Sequence, residues 1–205
     1  MVVPTVWVLA VLGESNLKRA RCSVPPLTHP LFITRADGLA KKVRIALIER
    51  MGVDKILLAA QGYIELDMPE EAIRELDSLP AEDRQREPAL QLRLFVVMRS
   101  RQWQRALDVC EAMRSATPEI VTGYIHGAFC LHEMGRTAEA RKLLLAAPSH
   151  LRKEPTYHYN LGCYAAVLGE LEEARHHLTA SFELDKKFRD IALQDPDLRS
   201  VKDFL

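Results

Sequence analysis

His126 and Cys130 carry side chains suited to metal binding, and they are four positions apart in the sequence. That spacing places both on one face of a helix, where an imidazole and a thiolate could supply two ligands to zinc. His132 and Cys163 are candidates for further ligands, but the spacing brings no second pair to the same point. Because zinc sites use three or four protein ligands, we predict no metal site and expect these side chains to line a core or a groove.

His158 and Cys163 suggest a different chemistry, in which a histidine base activates a thiol nucleophile. They are five residues apart on one predicted helix, which is poor geometry for proton transfer, and no carboxylate is evident that would orient the histidine. The sequence also lacks a glycine-rich phosphate loop, a GxSxG elbow and an HExxH motif. We therefore predict that the protein is not an enzyme and uses no cofactor.

Charge and composition argue against several other classes of protein. The chain has 28 basic and 28 acidic residues, whereas a dedicated nucleic-acid binder usually shows a basic excess. No apolar run approaches the roughly 20 residues that span a membrane, and the apolar stretch from Val2 to Leu12 lacks the flanks of a secretory signal. The four cysteines form no CxxC pair, which favours reduced thiols and a cytoplasmic location.

The arginines between residues 84 and 105 form the most concentrated basic stretch of the sequence. They alternate with acidic residues, as is typical of a solvated surface, and we favour that interpretation. The functional alternative is a docking patch for an acidic partner. The arginines are Arg84, Arg86, Arg93, Arg99, Arg101 and Arg105.

A strict period of 34 residues indicates the elements that must position all of these side chains. This period is typical of stacked helix–turn–helix units, in which small residues let paired helices approach closely. Neighbouring units must stack because one helix pair cannot bury its apolar face alone. The residues in phase are four alanines (Ala72, Ala106, Ala140, Ala174), a small or apolar set (Ala60, Leu94, Ala128, Gly162) and a loop set (Asp67, Arg101, Gly135, Gly169).

The repeated motifs resemble those of tetratricopeptide repeat proteins. The best unit reads Tyr159-Asn160-Leu161-Gly162 and then Gly169-Glu170-Leu171-Glu172-Glu173-Ala174, and three more units are similar in phase. The resemblance implies an all-α fold, a right-handed α-solenoid of antiparallel helix pairs. Pro80 and Pro148 are expected to shorten two of the second helices.

The phase of the repeats predicts a division of the chain into three segments. Residues 1–50 share no phase with the rest and form an extension that is flexible or partly helical. Either Met51 is the true start, or Ala36 to Arg50 form a basic amphipathic helix on the first repeat. The other segments are residues 51–186, with repeats at about 53–86, 87–120, 121–154 and 155–186, and residues 187–205, a C-terminal helical cap.

The cap prediction depends on the local chemistry of the last residues. Asp195 is placed to cap a helix, Pro196 to occupy its first turn and Asp197 to meet the positive end of its dipole. Leu198, Val201 and Phe204 or Leu205 would form its apolar stripe. A solenoid needs its last exposed face covered, so we expect this helix to cover the second helix of the fourth repeat.

The resemblance also implies a binding groove, because the first helix of each unit faces the concave side of such solenoids. The side chains on that face are apolar or aromatic with a few polar tips, and an exposed patch of that kind marks a binding site. The alternative is that the N-terminal segment or a tight superhelix already fills the groove. The predicted groove residues are Leu57, Gln61, Gln91, Phe95, Arg99, Ile125, Phe129, His132, Tyr159 and Cys163.

These observations predict a protein-binding scaffold whose partner is an apolar peptide or an amphipathic helix. The Lys, Asn and Arg clamp of relatives that bind chaperone tails is absent, so such tails are not expected as ligands. The alternative function is a specialised chaperone for a secreted protein, but such chaperones are typically acidic and this chain is neutral. An enzyme with an unrecognised site is a remote third hypothesis.

Overall fold

A computed structural model describes residues 37–204, together with the side chains from residue 50 onward. The expectations for residues 1–36 and for Leu205 lie outside the described residues. The chain divides into two compact units, Met1–Arg84 and Gln85–Leu205.

The first unit contains a long helix packed against a short one. Helix α1 passes without interruption through the boundary predicted at residue 50, so the predicted extension and the first repeat share one helix. Pro69 begins α2, where its missing N–H costs no hydrogen bond. Ala60 of α1 and Ala72 and Leu76 of α2 are fully buried. The helices are α1 Asp37–Glu65, α2 Pro69–Ser78 and α3 Ala81–Arg84.

The second unit is a succession of helices in which each of the long ones packs on the next. Within residues 37–204 no strand is present, which confirms the all-α fold predicted from the sequence. The α-helices are α4 Glu87–Arg99, α5 Trp103–Ala116, α6 Thr122–Glu133, α7 Thr137–Leu145, α8 Pro155–Val167, α9 Leu171–Leu184 and α10 Lys187–Ala192, and two 3-10 helices span Ser149–Lys153 and Pro196–Phe204.

The turns inside the helix pairs follow the predicted 34-residue phase. All four residues of the loop set have positive φ: 58° at Asp67, 53° at Arg101, 76° at Gly135 and 81° at Gly169. This left-handed conformation ends one helix and redirects the chain into the next. Glycine adopts it without strain, whereas Asp67 and Arg101 hold it at a cost.

Prolines limit the length of two helices, as the sequence predicted. Helix α2 has 10 residues and α7 has 9, whereas α5 and α9 have 14 each. Pro80 and Pro148 follow the two shorter helices, and a proline disfavours the helical conformation of the residue before it.

The α8–α9 pair depends on a glycine at the point of closest approach. A Cβ placed on Gly162 would lie 2.7 Å from Leu178 Cγ and 2.9 Å from its Cδ2. Leu178 is fully buried and therefore has little room to move aside. The small or apolar phase of the repeat thus sets the distance between these two helices.

We expect Gly162→Ala to lower the free energy of unfolding by about 1–3 kcal/mol, because overpacking forces side chains or backbone to shift. Urea denaturation monitored by circular dichroism would measure the change. The control is Gly62→Ala, since no described atom lies within 4 Å of a Cβ at that helical glycine. There the gain in helix propensity, up to about 1 kcal/mol, should dominate.

A double variant tests whether the contact with Leu178 is the cause. Gly162→Ala combined with Leu178→Ala should cost less than the sum of the two single changes, since the smaller side chain leaves room for the new methyl group. Equal stabilisation by Gly162→Ala and Gly62→Ala would show that the close approach does not constrain the pair.

Candidate functional site

Helix α8 places two of the predicted groove residues on one face, one turn apart. Tyr159 is fully buried and Cys163 is 4% exposed. The helix is apolar around most of its circumference, so other parts of the protein must cover more than one of its faces. One side packs on α9, and the other lies under the C-terminal residues.

Asp195 is the polar contact that joins the C-terminal residues to α8. The Tyr159 hydroxyl donates to Asp195 Oδ2 at 2.7 Å, and the Cys163 thiol lies 3.8 Å from the same oxygen. The other oxygen, Oδ1, accepts the backbone N–H of Asp197 at 3.0 Å. One carboxylate therefore caps the 3-10 helix, as predicted for Asp195, and also docks that helix on α8.

A second carboxylate, two residues later, contacts α6. His132 Nε2 lies 3.0 Å from Asp197 Oδ2, and His132 Nδ1 lies 3.0 Å from the Thr137 hydroxyl oxygen. A carboxylate only accepts hydrogen bonds, so Nε2 carries the proton that it donates to Asp197. The His132 ring also lies against Tyr164, with ring centroids 5.0 Å apart, which fixes its orientation.

Apolar side chains complete the contact between the last residues and the α8–α9 pair. Leu198 is fully buried and Val201 is 1% exposed. Phe188 stacks obliquely on Tyr159 with centroids 5.2 Å apart, and the Arg175 guanidinium lies 5.3 Å from the Phe204 ring. We call residues 195–204 the C-terminal segment, and we call His132, Tyr159 and Cys163 the tail site.

Three carboxyl groups, those of Asp195, Asp197 and Glu133, lie close together beside the tail site. Burial raises the pKa of the Glu133 carboxyl, and the nearby Asp197 and Asp195 carboxylates raise it further, while His132 and Arg101 oppose the shift. The donors that face Asp195 and Asp197 offset the repulsion between these three carboxyl groups.

The remaining predicted groove residues of the second unit do not share one environment. Phe95 and Phe129 are 8% and 7% exposed, and Phe129 packs edge-on against Trp103 with centroids 5.7 Å apart. Ile125 is half-buried, whereas Gln91 and Arg99 are exposed. The two phenylalanines that looked like the aromatic anchors of the groove therefore present little surface to a ligand.

The two predicted groove residues of the first unit lie along α1. Leu57 is half-buried and Gln61 is exposed. The Gln61 side-chain amide donates to Glu65 Oε1 at 3.3 Å along the same helix. Their part in a groove stays a prediction.

Three buried polar side chains were not recognised as a group from the sequence. His126 Nδ1, both polar atoms of the Asn160 side chain and the Tyr164 hydroxyl are buried with no hydrogen-bond partner among the described residues. His126 and Asn160 are 34 residues apart and hold equivalent positions in successive helix pairs. Burial lowers the pKa of His126 from 6.5 to about 4, so the imidazole is neutral at pH 7.

The metal and nucleophile hypotheses gain no support from the geometry. Within residues 37–204, no three His, Cys, Asp or Glu side chains are arranged to hold a metal ion. Burial raises the pKa of the Cys130 thiol to about 12, with Glu133 adding to the shift. Burial also raises the pKa of Cys110 and of Cys163. A thiol needs its thiolate form to act as a nucleophile or a zinc ligand, so these three are poorly suited to either role.

His158 and His177 form a contact that the sequence did not predict. Their Nδ1 atoms are 3.2 Å apart, and His158 Nε2 lies 2.9 Å from the Arg152 carbonyl oxygen. Burial lowers the pKa of His177 to about 4, and the neighbouring His158 and His176 lower it further. The two rings join α8 to α9, and they can hydrogen-bond to each other only while at least one of them is neutral.

The fold defines a class of protein: an all-α stack of helix pairs of the tetratricopeptide type. Three solved structures of MamA are similar to it. "Crystal structure of MamA" has a TM-score of 0.60 and 15% identity, and the match covers 78% of this chain and 99% of that one.

The other two MamA structures give the same picture. "MamA RS-1 ArsTM double mutant" has a TM-score of 0.59 and 19% identity over 66% of this chain and 76% of that one. "MamA MSR-1 C2" has a TM-score of 0.58 and 17% identity over 74% and 92%. At these identities the likeness shows the fold alone. No family model and no curated protein matches the chain.

Within the described part of the chain, no helix is both long enough and apolar enough to cross a membrane.

We expect Tyr159→Phe to lower the free energy of unfolding by about 1.5–3 kcal/mol, because the buried Asp195 carboxylate would lose a donor. The matched control is Tyr164→Phe on the same helix. Its hydroxyl is buried and has no hydrogen-bond partner within residues 37–204, so its removal should be neutral or stabilising. Equal losses in the two variants, measured by urea denaturation, would show that the bond to Asp195 contributes nothing.

We also expect stability to fall between pH 6.5 and pH 4 because of His126. Its folded pKa of about 4 lies below the usual 6.5, so the unfolded chain binds the proton more tightly and acid favours unfolding. The contribution is present in full above pH 6.5, and roughly 2–3 kcal/mol should be lost by pH 4.5.

His126→Gln should remove that part of the pH dependence in denaturation curves recorded from pH 7 to pH 4.5. His150→Gln, at an exposed histidine, serves as the control variant. If wild type and His126→Gln lost stability in parallel as the pH fell, the buried imidazole would not be the titrating group.

Proposed function

We propose that this protein is a non-enzymatic interaction module that binds a short segment of a partner protein on the first helices of the pairs in its second unit (α4, α6 and α8). The observation that carries the proposal is the tail site, where His132, Tyr159 and Cys163 hold a short segment of the chain itself. A surface that orders one such segment has the hydrogen-bond donors and apolar contacts needed to bind another.

The contacts favour a ligand of mixed polar and apolar character over the apolar peptide, which is one of the two ligands predicted from the sequence. Tyr159 and His132 of the tail site donate to two carboxylates of the C-terminal segment, and the aliphatic side chains of Leu198 and Val201 in the same segment are buried. Phe95 and Phe129 are largely covered, so they offer little to an apolar helix. The tetratricopeptide-like fold also supports a role in binding proteins, since repeat solenoids present extended binding surfaces.

Two glutamines allow the binding face to be tested. Gln91 on α4 is exposed and donates to Glu87 Oε1 at 2.8 Å, while Gln104 on α5 is exposed and donates to Asp108 Oδ1 at 2.9 Å. Both side chains are therefore held by one carboxylate on their own helix. Gln91 lies on a first helix and Gln104 on a second helix.

We expect a photo-reactive benzoylphenylalanine at position 91 to crosslink a partner protein in cells that express the full chain. The same residue at position 104 should give little crosslinking to that partner. Mass spectrometry of the crosslinked species measures both. Crosslinking from position 104 alone would contradict binding on the first helices, and no crosslinked protein from either position would contradict the proposed function.

A further inference from the structure

The contacts of the C-terminal segment indicate which of its side chains determine its binding to the rest of the protein. Two of its side chains, Asp195 and Asp197, accept hydrogen bonds from the tail site, and two more, Leu198 and Val201, are almost completely buried. Phe204 is half-buried beside Arg175. The other positions from 196 to 203 are exposed: Pro196, Arg199, Ser200, Lys202 and Asp203. Binding therefore depends on the first four side chains and tolerates any soluble side chain at the exposed positions.

Among the described residues, the side-chain donors that contact the two acidic positions are a tyrosine hydroxyl, a thiol and an imidazole. Asp195 Oδ2 accepts a hydrogen bond from the Tyr159 hydroxyl at 2.7 Å, and the Cys163 thiol lies 3.8 Å from the same oxygen. Asp197 Oδ2 accepts a hydrogen bond from His132 Nε2 at 3.0 Å. Donors that are buried or nearly so discriminate strongly, because an uncharged or apolar replacement would leave them without a partner.

The two aliphatic positions follow from the geometry of the 3-10 helix. Residues three apart share one face of such a helix, and Leu198 and Val201 are three apart and almost completely buried. The Asp195 carboxylate starts that helix by accepting the Asp197 N–H at 3.0 Å. The same side chain thus fixes both the conformation of the segment and its position on α8.

From these contacts we propose that the tail site recognises a partner segment with the pattern acidic–any–acidic–Leu–any–any–aliphatic, and that the C-terminal segment is the resident competitor for it. This inference rests on the proposed function and specifies the chemistry of the partner. The partner presents two carboxylates two residues apart, followed by two aliphatic side chains on one face of a single helical turn.

The proposal requires the α8–α9 pair to stay packed when the C-terminal segment leaves. That pair meets through Gly162 and Leu178 on the side of α8 that faces α9, whereas Tyr159 and Cys163 reach the segment. The segment is tethered, and a tethered ligand competes at an effective concentration in the millimolar range. A partner must therefore bind more tightly than the free segment would, or be held nearby.

The test uses the full chain and a fluorescein-labelled peptide with the sequence of residues 194–204. Two variants loosen the resident segment: Leu198→Asp, which places a charge at a fully buried position, and Asp195→Asn with Asp197→Asn, which keeps the shape and the apolar contacts. If the first variant fails to fold, the second supplies the measurement. Fluorescence anisotropy gives the affinity of each protein for the peptide.

We expect the peptide to bind the loosened variants at least 10-fold more tightly than it binds wild type, because the tether no longer supplies a competitor. A second peptide with asparagine at both acidic positions should bind them roughly 10- to 100-fold more weakly. Adding Tyr159→Phe to a loosened variant should weaken binding of the acidic peptide and should affect the asparagine peptide much less.

Two results would overturn the inference: equal binding of the acidic and asparagine peptides, or no binding of the acidic peptide to a folded, loosened variant. Neither result bears on crosslinking from position 91. If position 91 crosslinks a partner but the peptide does not bind, the proposed function is supported and this recognition pattern is wrong.

Discussion

The close approach of paired helices is the constraint on which the second unit depends. A Cβ at Gly162 would come within 3 Å of Leu178, and Ala106, Ala140 and Ala174 have no exposed surface. Larger side chains at these positions would separate the helices and expose the apolar stripe between them. Small residues at two phases of the repeat therefore determine how far each helix lies from its partner, and so which side chains remain on the opposite face of α8.

Local signals in the sequence were enough to predict the fold. The positive φ of Arg101 shows how strong the period is, because arginine does not favour that conformation, and Asp67 adopts it less readily than a glycine would. Their equivalents at positions 135 and 169 are glycines, and the shared phase identified all four turns. Helix ends at Ser78 and Leu145 likewise followed from the prolines shortly after them. The continuation of α1 back to Asp37 was less evident, since residues before Met51 carry no repeat phase.

The tail site could be predicted only in part, because its contacts join residues far apart in sequence. The capping role of Asp195 is local and was predicted from Asp195-Pro196-Asp197. Its second role, accepting from Tyr159 over 36 residues, depends on how α8 and the C-terminal segment meet. The sequence predicted that Leu198 and Val201 form an apolar stripe that packs on α9. The 3-10 helix that carries them packs on both α8 and α9. Helical phase assigned His132, Tyr159 and Cys163 to one face, but it could not show that the chain itself covers them.

The buried thiols of the second unit can be used to measure how often parts of that unit open. Cys110, Cys130 and Cys163 are free and buried, and their raised pKa values keep them protonated. A thiol reagent can modify them only when the structure around them opens, so each modification rate measures a local opening equilibrium. Cys110 belongs to α5 and Cys130 to α6, so they report separation of those helices. Cys163 lies under Asp195, so its modification rate would measure how often the C-terminal segment leaves α8.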